Sequence, residues 1–83
     1  MDQIYREAQE SIIRLKTLIL QLLSHPDTPE EGLRNVDISR ALGVNQKHSE
    51  TGHTGHVSAY LLNQLMIDDK VSKSESKRWT LRN

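Results

Sequence analysis

HVSAYLLNQLMIDDKVSKSESKRWTLR, residues 56–82, is the stretch whose reading decides the fold. Val57, Leu61, Leu62 and Leu65 recur at helical steps, which puts them on one face of a helix and leaves His56, Tyr60, Asn63 and Gln64 on its flanks or back. After Asp68 and Asp69 the apolar period changes from helical to alternating. Val71, Trp79 and Leu81 then fall on one side of two short strands, while Lys73, Lys77, Arg78 and Arg82 are left at the tip, on the outer face or at the end. A helix with polar groups on its open face, followed by a basic ribbon over residues 70–82, has the form of a nucleic-acid reader. The rest of the chain reads as its scaffold.

Upstream, Asp2 to Ser24 contains neither Gly nor Pro, and Ile4, Ala8, Ile12, Leu15, Ile19 and Leu22 follow one another at steps of three and four. This predicts one long amphipathic helix, about 33 Å from end to end. A three-helix core of this size needs less, so the first half, residues 1–13, is expected either to form a separate short helix or to overhang. An overhang leaves Ile4, Tyr5, Ala8 and Ile12 uncovered, and pairing with a second copy is the simplest remedy. The alternative is a segment bent back on its own domain. His25-Pro26-Asp27-Thr28-Pro29 ends the helix, because proline disfavours helical geometry before it and has no N–H to donate. Gly32-Leu33-Arg34 suits a short edge strand. Asn35 is the expected cap of a helix from Val36 to Leu42, with Asp37 in its first turn, Ile38, Ala41 and Leu42 inward, and Gly43 as its left-handed stop.

With 83 residues there is room for one domain. Only 35% of residues are apolar, with no Phe and one Trp, so the core must draw on a few concentrated faces. The absence of cysteine excludes disulfides and thiolate metal sites. No signal-peptide pattern and no bilayer-spanning apolar run is evident, which predicts a soluble cytoplasmic protein without a membrane partner, nucleoid-associated in a bacterium. Net charge is zero, yet it is segregated. Residues 70–83 carry Lys70, Lys73, Lys77, Arg78 and Arg82 against Glu75, so this segment is basic and the remainder is acidic to the same degree. A local basic patch on a neutral chain suits a site that grips a polyanion at one place, although the same cations on a hairpin also keep a sheet edge soluble.

VDISRALGV at 36–44, VSAYLLNQLMIDDKV at 57–71 and the closing RWTLR at 78–82 together resemble the winged helix-turn-helix family. The resemblance covers about residues 14–82. It implies a mainly α fold with a small β-hairpin: a three-helix core, a two- or three-stranded wing and, here, an extended N-terminal helix. The matching positions are Ala41 and Gly43 in the second helix, Leu62 and Leu65 in the third, and Val71 opening the wing. Two departures stand out. Asp69 occupies the place before the wing where the family often has Gly, and NQKHSETGHTGH separates Val44 from Val57, longer than a compact helix-turn-helix turn. This loop, over residues 44–54, is either a connector whose Thr54 caps the third helix or a phosphate seat at that helix's positive end.

The expected function is duplex-DNA binding by a small dimeric transcriptional regulator, with the third helix (about 54–67) in the major groove and the wing on the backbone. The candidate contacts are His53, Thr54, His56, Tyr60 and Asn63 for bases, Lys73, Lys77 and Arg78 on the wing, and Gln46 and Lys47 on backbone phosphate. Tyr60 has the alternative of resting its ring on the core edge, and Trp79 is expected in the core rather than stacked on a base. His48, His53 and His56 lack the companions of a metal site, and no nucleophile, glycine cradle or carboxylate pair suggests an enzyme. No cofactor and no small-molecule ligand are expected. The alternative function is a protein-interaction module of the same fold within a larger complex; which of the two holds depends on whether Asp68, Asp69 and Glu50 neutralise the basic face.

Overall fold

The long apolar stripe at the N-terminus forms a single uninterrupted helix, α1 (Asp2–Leu23), in the computed structural model, which describes residues 1–43 and 56–82. It is followed by β1 (Leu33–Arg34), α2 (Asn35–Leu42), α3 (His56–Ile67), β2 (Val71–Lys73) and β3 (Arg78–Leu81). The described residues are thus mainly helical, with a small antiparallel sheet in the order β1-β3-β2. Leu33 pairs with Trp79 on one side of β3, and Val71, Ser72 and Lys73 pair with Leu81, Thr80 and Trp79 on the other. The edge strand expected at Gly32–Arg34 therefore exists, and it makes β3 the central strand.

The core is one cluster drawn from every layer. Ile19 and Leu23 of α1, Ile38 of α2, Leu61, Leu62 and Leu65 of α3, Val71 of β2 and Trp79 of β3 are all buried. Trp79 lies in this core, as its sequence context predicts. Removing these apolar surfaces from water is the main favourable contribution to folding, at roughly 25 cal/mol per Å².

Three positions differ from the sequence expectation. Val57 is 43% exposed, and the inward register belongs instead to Ser58, Leu61, Leu62 and Leu65, spaced i, i+3, i+4 and i+7. A polar residue in that register hides it from a hydrophobicity pattern; Ser58 tolerates full burial because its hydroxyl donates to Asn35 Oδ1 at 2.6 Å. Asn35 is the first residue of α2 rather than its cap. Arg34 takes the cap position, and its backbone N–H donates to Asp37 Oδ2 at 3.2 Å. Ala41 is exposed, and Ser39, whose hydroxyl bonds back to the Val36 carbonyl, is the buried small residue of α2.

α1 overhangs rather than folding back. Residues 1–11 are exposed throughout, with Ile4 and Tyr5 each 68% exposed, and Ile12 is the first side chain to lean on the core.

The turns have specific chemistry. Asp69 has φ 59° and closes α3: its N–H reaches the Met66 carbonyl while the Lys70 N–H reaches that of Leu65. This paired pattern is the left-handed helix stop that glycine usually supplies. Asp is among the residues that tolerate the conformation, and its Oδ1 also accepts from Arg82 Nη1 at 3.2 Å. The hairpin tip Ser74–Lys77 is closed by Lys77 N–H on the Ser74 carbonyl, with Lys77 itself left-handed at φ 64°.

Candidate nucleic-acid interface

On α3 the spacing of His56, Tyr60 and Asn63 places all three on the side opposite the buried face, and all three are exposed. Tyr60 is 55% exposed, so its ring stands in solvent rather than on the core edge. Gln64, on the flank of α3, turns toward α1, where its Oε1 accepts from Lys16 Nζ at 3.3 Å.

The strand register decides where the wing cations go. Lys73 lies directly opposite Trp79, and cross-strand partners point to the same side of a sheet. Its ammonium stands 5.4 Å from the centroid of the Trp79 ring. That is within cation–π range, and the stem covers the indole while the charge stays in water. Lys77, at the left-handed tip position, opens on the same space.

These residues line one groove of about 450 Å³. Lys73, Ser76 and Lys77 form its wing wall, and Ala59 and Asn63 its α3 wall. Arg34 and Asn35, at the start of α2, close the third side, with Val36 and Trp79 adding apolar surface. Among the described residues, neither Lys73 nor Lys77 makes an ion pair. Of the acids near the wing, Asp69 pairs with Arg82 and Asp37 with Arg34 Nε at 3.4 Å, while Asp68 and the tip residue Glu75 are exposed.

Arg78 stands apart from the two lysines. It is half-buried, opposite Arg34 in the sheet, and its Nη1 donates to the Gly32 carbonyl at 3.1 Å. Its first task is to hold β1 against β3. Asp37 lies beneath this arginine pair. Burial raises the pKa of its carboxyl, but hydrogen bonds from the Arg34 side chain and backbone, with the charges of Arg34 and Arg78, outweigh that and hold it below the ordinary value.

Of the sequence-predicted contacts, His56, Tyr60 and Asn63 thus share one face of α3, and Asn63, Lys73 and Lys77 share one groove. Gln46, Lys47, His53 and Thr54, together with the 44–54 loop, lie outside the described residues. Arg34, Asn35 and Ser76 were missed. The signal for Arg34 was present in the Arg34-to-Asp37 spacing, which is that of an N-cap and its third helical residue. Among the described residues there is no group of three His, Asp or Glu side chains able to hold a metal ion, and no helix is long and apolar enough to cross a membrane. No protein-family model, curated protein or solved structure matches the chain.

Proposed function

We propose that the chain is a winged helix-turn-helix module that binds duplex DNA, with α3 in the major groove and the β2–β3 wing along the phosphate backbone. The observation that carries this reading is the convergence of Lys73 and Lys77 of the wing with Asn63 of α3 on one groove, neither lysine being ion-paired among the described residues. An α-helix fits the major groove, where an Asn carboxamide pairs with adenine, and wing lysines release counterions from phosphates. Asp68 and Asp69 sit at the far end of the ribbon, and Asp69 is tied to Arg82, so they leave the groove's charge intact.

A single copy offers too few phosphate contacts for tight specific binding at physiological salt. The bare half of α1, with Ile4, Tyr5 and Ala8 and ending at the half-buried Ile12, is where a second copy joins in this reading, which pairs two α3 helices for two half-sites. Sedimentation equilibrium checks this: the parent chain is expected as a dimer and Ile4→Glu as a monomer. A parent that stays monomeric removes the dimer from the proposal.

Binding of a random-sequence duplex across a salt series tests the main reading. The parent is expected to lose affinity steeply with salt, and Lys73→Ala with Lys77→Ala is expected to lower the slope of log K against log salt by about 2. Absence of binding by the parent at low salt sinks the DNA reading. A protein partner is then favoured by one observation: α3 also exposes Val57, Tyr60 and Ile67, the last at 76%. Such apolar side chains on a solvent-facing helix suit a protein surface.

A further inference from the structure

The groove between α3 and the wing is more than a place where cations meet. Its volume of about 450 Å³ falls inside the range of roughly 300–1,000 Å³ found for small-molecule sites. Its lining combines an apolar floor of Val36, Ala59 and the edge of Trp79 with a rim of Lys73, Lys77 and Asn63. A phosphate of the DNA backbone needs only the rim. The floor is suited to something flat and apolar attached to the anion. That floor is also held in place: Trp79 is 3% exposed in the core, and the Ser58–Asn35 hydrogen bond ties α3 to α2 beneath the groove. A preformed apolar surface with a few convergent polar groups is the common form of a ligand site.

We propose that this groove binds a small organic anion, a phosphate or carboxylate carried on one aromatic ring, with the ring over Val36, Ala59 and Trp79 and the anionic head between Lys73 and Lys77. The ligand ring takes the place of the Lys73 ammonium beside the Trp79 ring, and that ammonium turns to the anionic head. Because the same two lysines serve the phosphate backbone in the proposed DNA complex, such a ligand competes with DNA; this consequence rests on the duplex-binding reading, whereas the site itself does not.

Calorimetric titration of the full chain with phenyl phosphate tests the site, with inorganic phosphate as the charge alone and phenol as the ring alone. Phenyl phosphate is expected to bind at least tenfold more tightly than either, and to shift the Trp79 indole N–H resonance. Lys77→Ala and Ala59→Leu, the first removing charge and the second filling the floor, are each expected to weaken it by tenfold or more while the thermal transition stays near the parent's. Equal affinity for phenyl phosphate and inorganic phosphate overturns the proposal, since only a basic patch is then present. So does undiminished binding in Lys77→Ala, a variant whose exposed tip position makes loss of folding no explanation. A duplex competition separates the two readings. Phenyl phosphate binding without any DNA binding keeps the site and removes the DNA reading, and DNA binding without phenyl phosphate binding does the reverse. Simultaneous binding of both without competition overturns the shared use of Lys73 and Lys77.

Discussion

The root and the tip of the β ribbon lie a few residues apart and are built on opposite terms. At the root, Val71 and Trp79 belong to the core and Gly32 is pressed beneath the Trp79 carbonyl. At the tip, Ser74, Glu75, Ser76 and Lys77 are all exposed, and their side chains contribute hydroxyls and charge rather than burial. The difference teaches that one hairpin can carry stability at one end and recognition at the other. Substitutions should therefore separate the two properties cleanly.

Truncating the root is the severest way to break that contrast. Trp79→Ala removes the only Trp and leaves a cavity in the core cluster it shares with Ile19, Ile38, Leu65 and Val71, and is expected to destabilise by about 3–5 kcal/mol. A domain of this size has only about 5–15 kcal/mol to lose, so the urea midpoint should fall by a large fraction of its value. Lys77→Ala should change stability by no more than about 0.5 kcal/mol, and Lys73→Ala, which removes the ammonium from beside the Trp79 ring, by about 0.5–1 kcal/mol. Equal losses from root and tip would show that the tip is structural after all.

Gly32→Ala is the next largest. At φ 91° an added Cβ would lie 2.2 Å from the Trp79 carbonyl oxygen and 2.7 Å from Thr80 Cγ2. The first neighbour is backbone of the central strand and cannot turn aside, so β1 must separate from β3, at about 3 kcal/mol. Gly43 is the control. It is also left-handed, at φ 72°, but an added Cβ there meets nothing, and Gly43→Ala should cost only the conformational strain of about 1–2 kcal/mol. Similar midpoints for the two variants would mean that the close approach at Gly32 contributes little.

How much of this was legible in the sequence follows from what each signal measures. Helical period is a strong signal, so α1 and α3 could be placed almost to their ends. The period does not say which turns find a partner, which is why residues 2–11 of α1 carry the same stripe as residues 12–23 and yet stand bare. Hydrophobicity misled at Val57 and Ala41, because Ser58 and Ser39 took the inward places, the first by bonding across to Asn35 of α2 and the second to the Val36 carbonyl of its own helix. The candidate contacts on α3 were legible from spacing alone. The groove was not, since it depends on strand register: only the pairing of Lys73 with Trp79 turns that ammonium toward α3, and only the cap at Arg34 brings α2 to the third wall.

A gain of stability at the tip sharpens the contrast from the other side. Lys77 holds φ 64°, which glycine adopts freely and a long side chain does not. Lys77→Gly should therefore stabilise the fold by about 0.5 kcal/mol, net of the extra freedom that glycine has when unfolded. The same change should lower the salt slope of DNA binding by about 1. Opposite signs in the two assays would identify Lys77 as a charge kept in a strained place for binding. Destabilisation would instead mean that its stem packs on the groove wall.

An effect of similar size comes from the acid in the first turn of α2. Asp37 is held by Arg34 from side chain and backbone, and its carboxyl titrates below the ordinary value in the folded state. A group whose folded pKa is depressed stabilises fully above its unfolded pKa, about 3.9 for Asp, and that contribution is lost as pH falls through the folded value. Asp37→Asn keeps the shape and removes the charge from the first turn of α2, where it meets both the helix dipole and the arginine pair, a loss of roughly 0.5 kcal/mol at neutral pH. Urea midpoints for parent and variant should differ at pH 7 and converge in acid, below the ordinary carboxylate range. A gap that stays constant into acid would assign the role of Asp37 to its hydrogen-bonding shape. The charge of Arg34 would then be available to the groove rather than spent on α2.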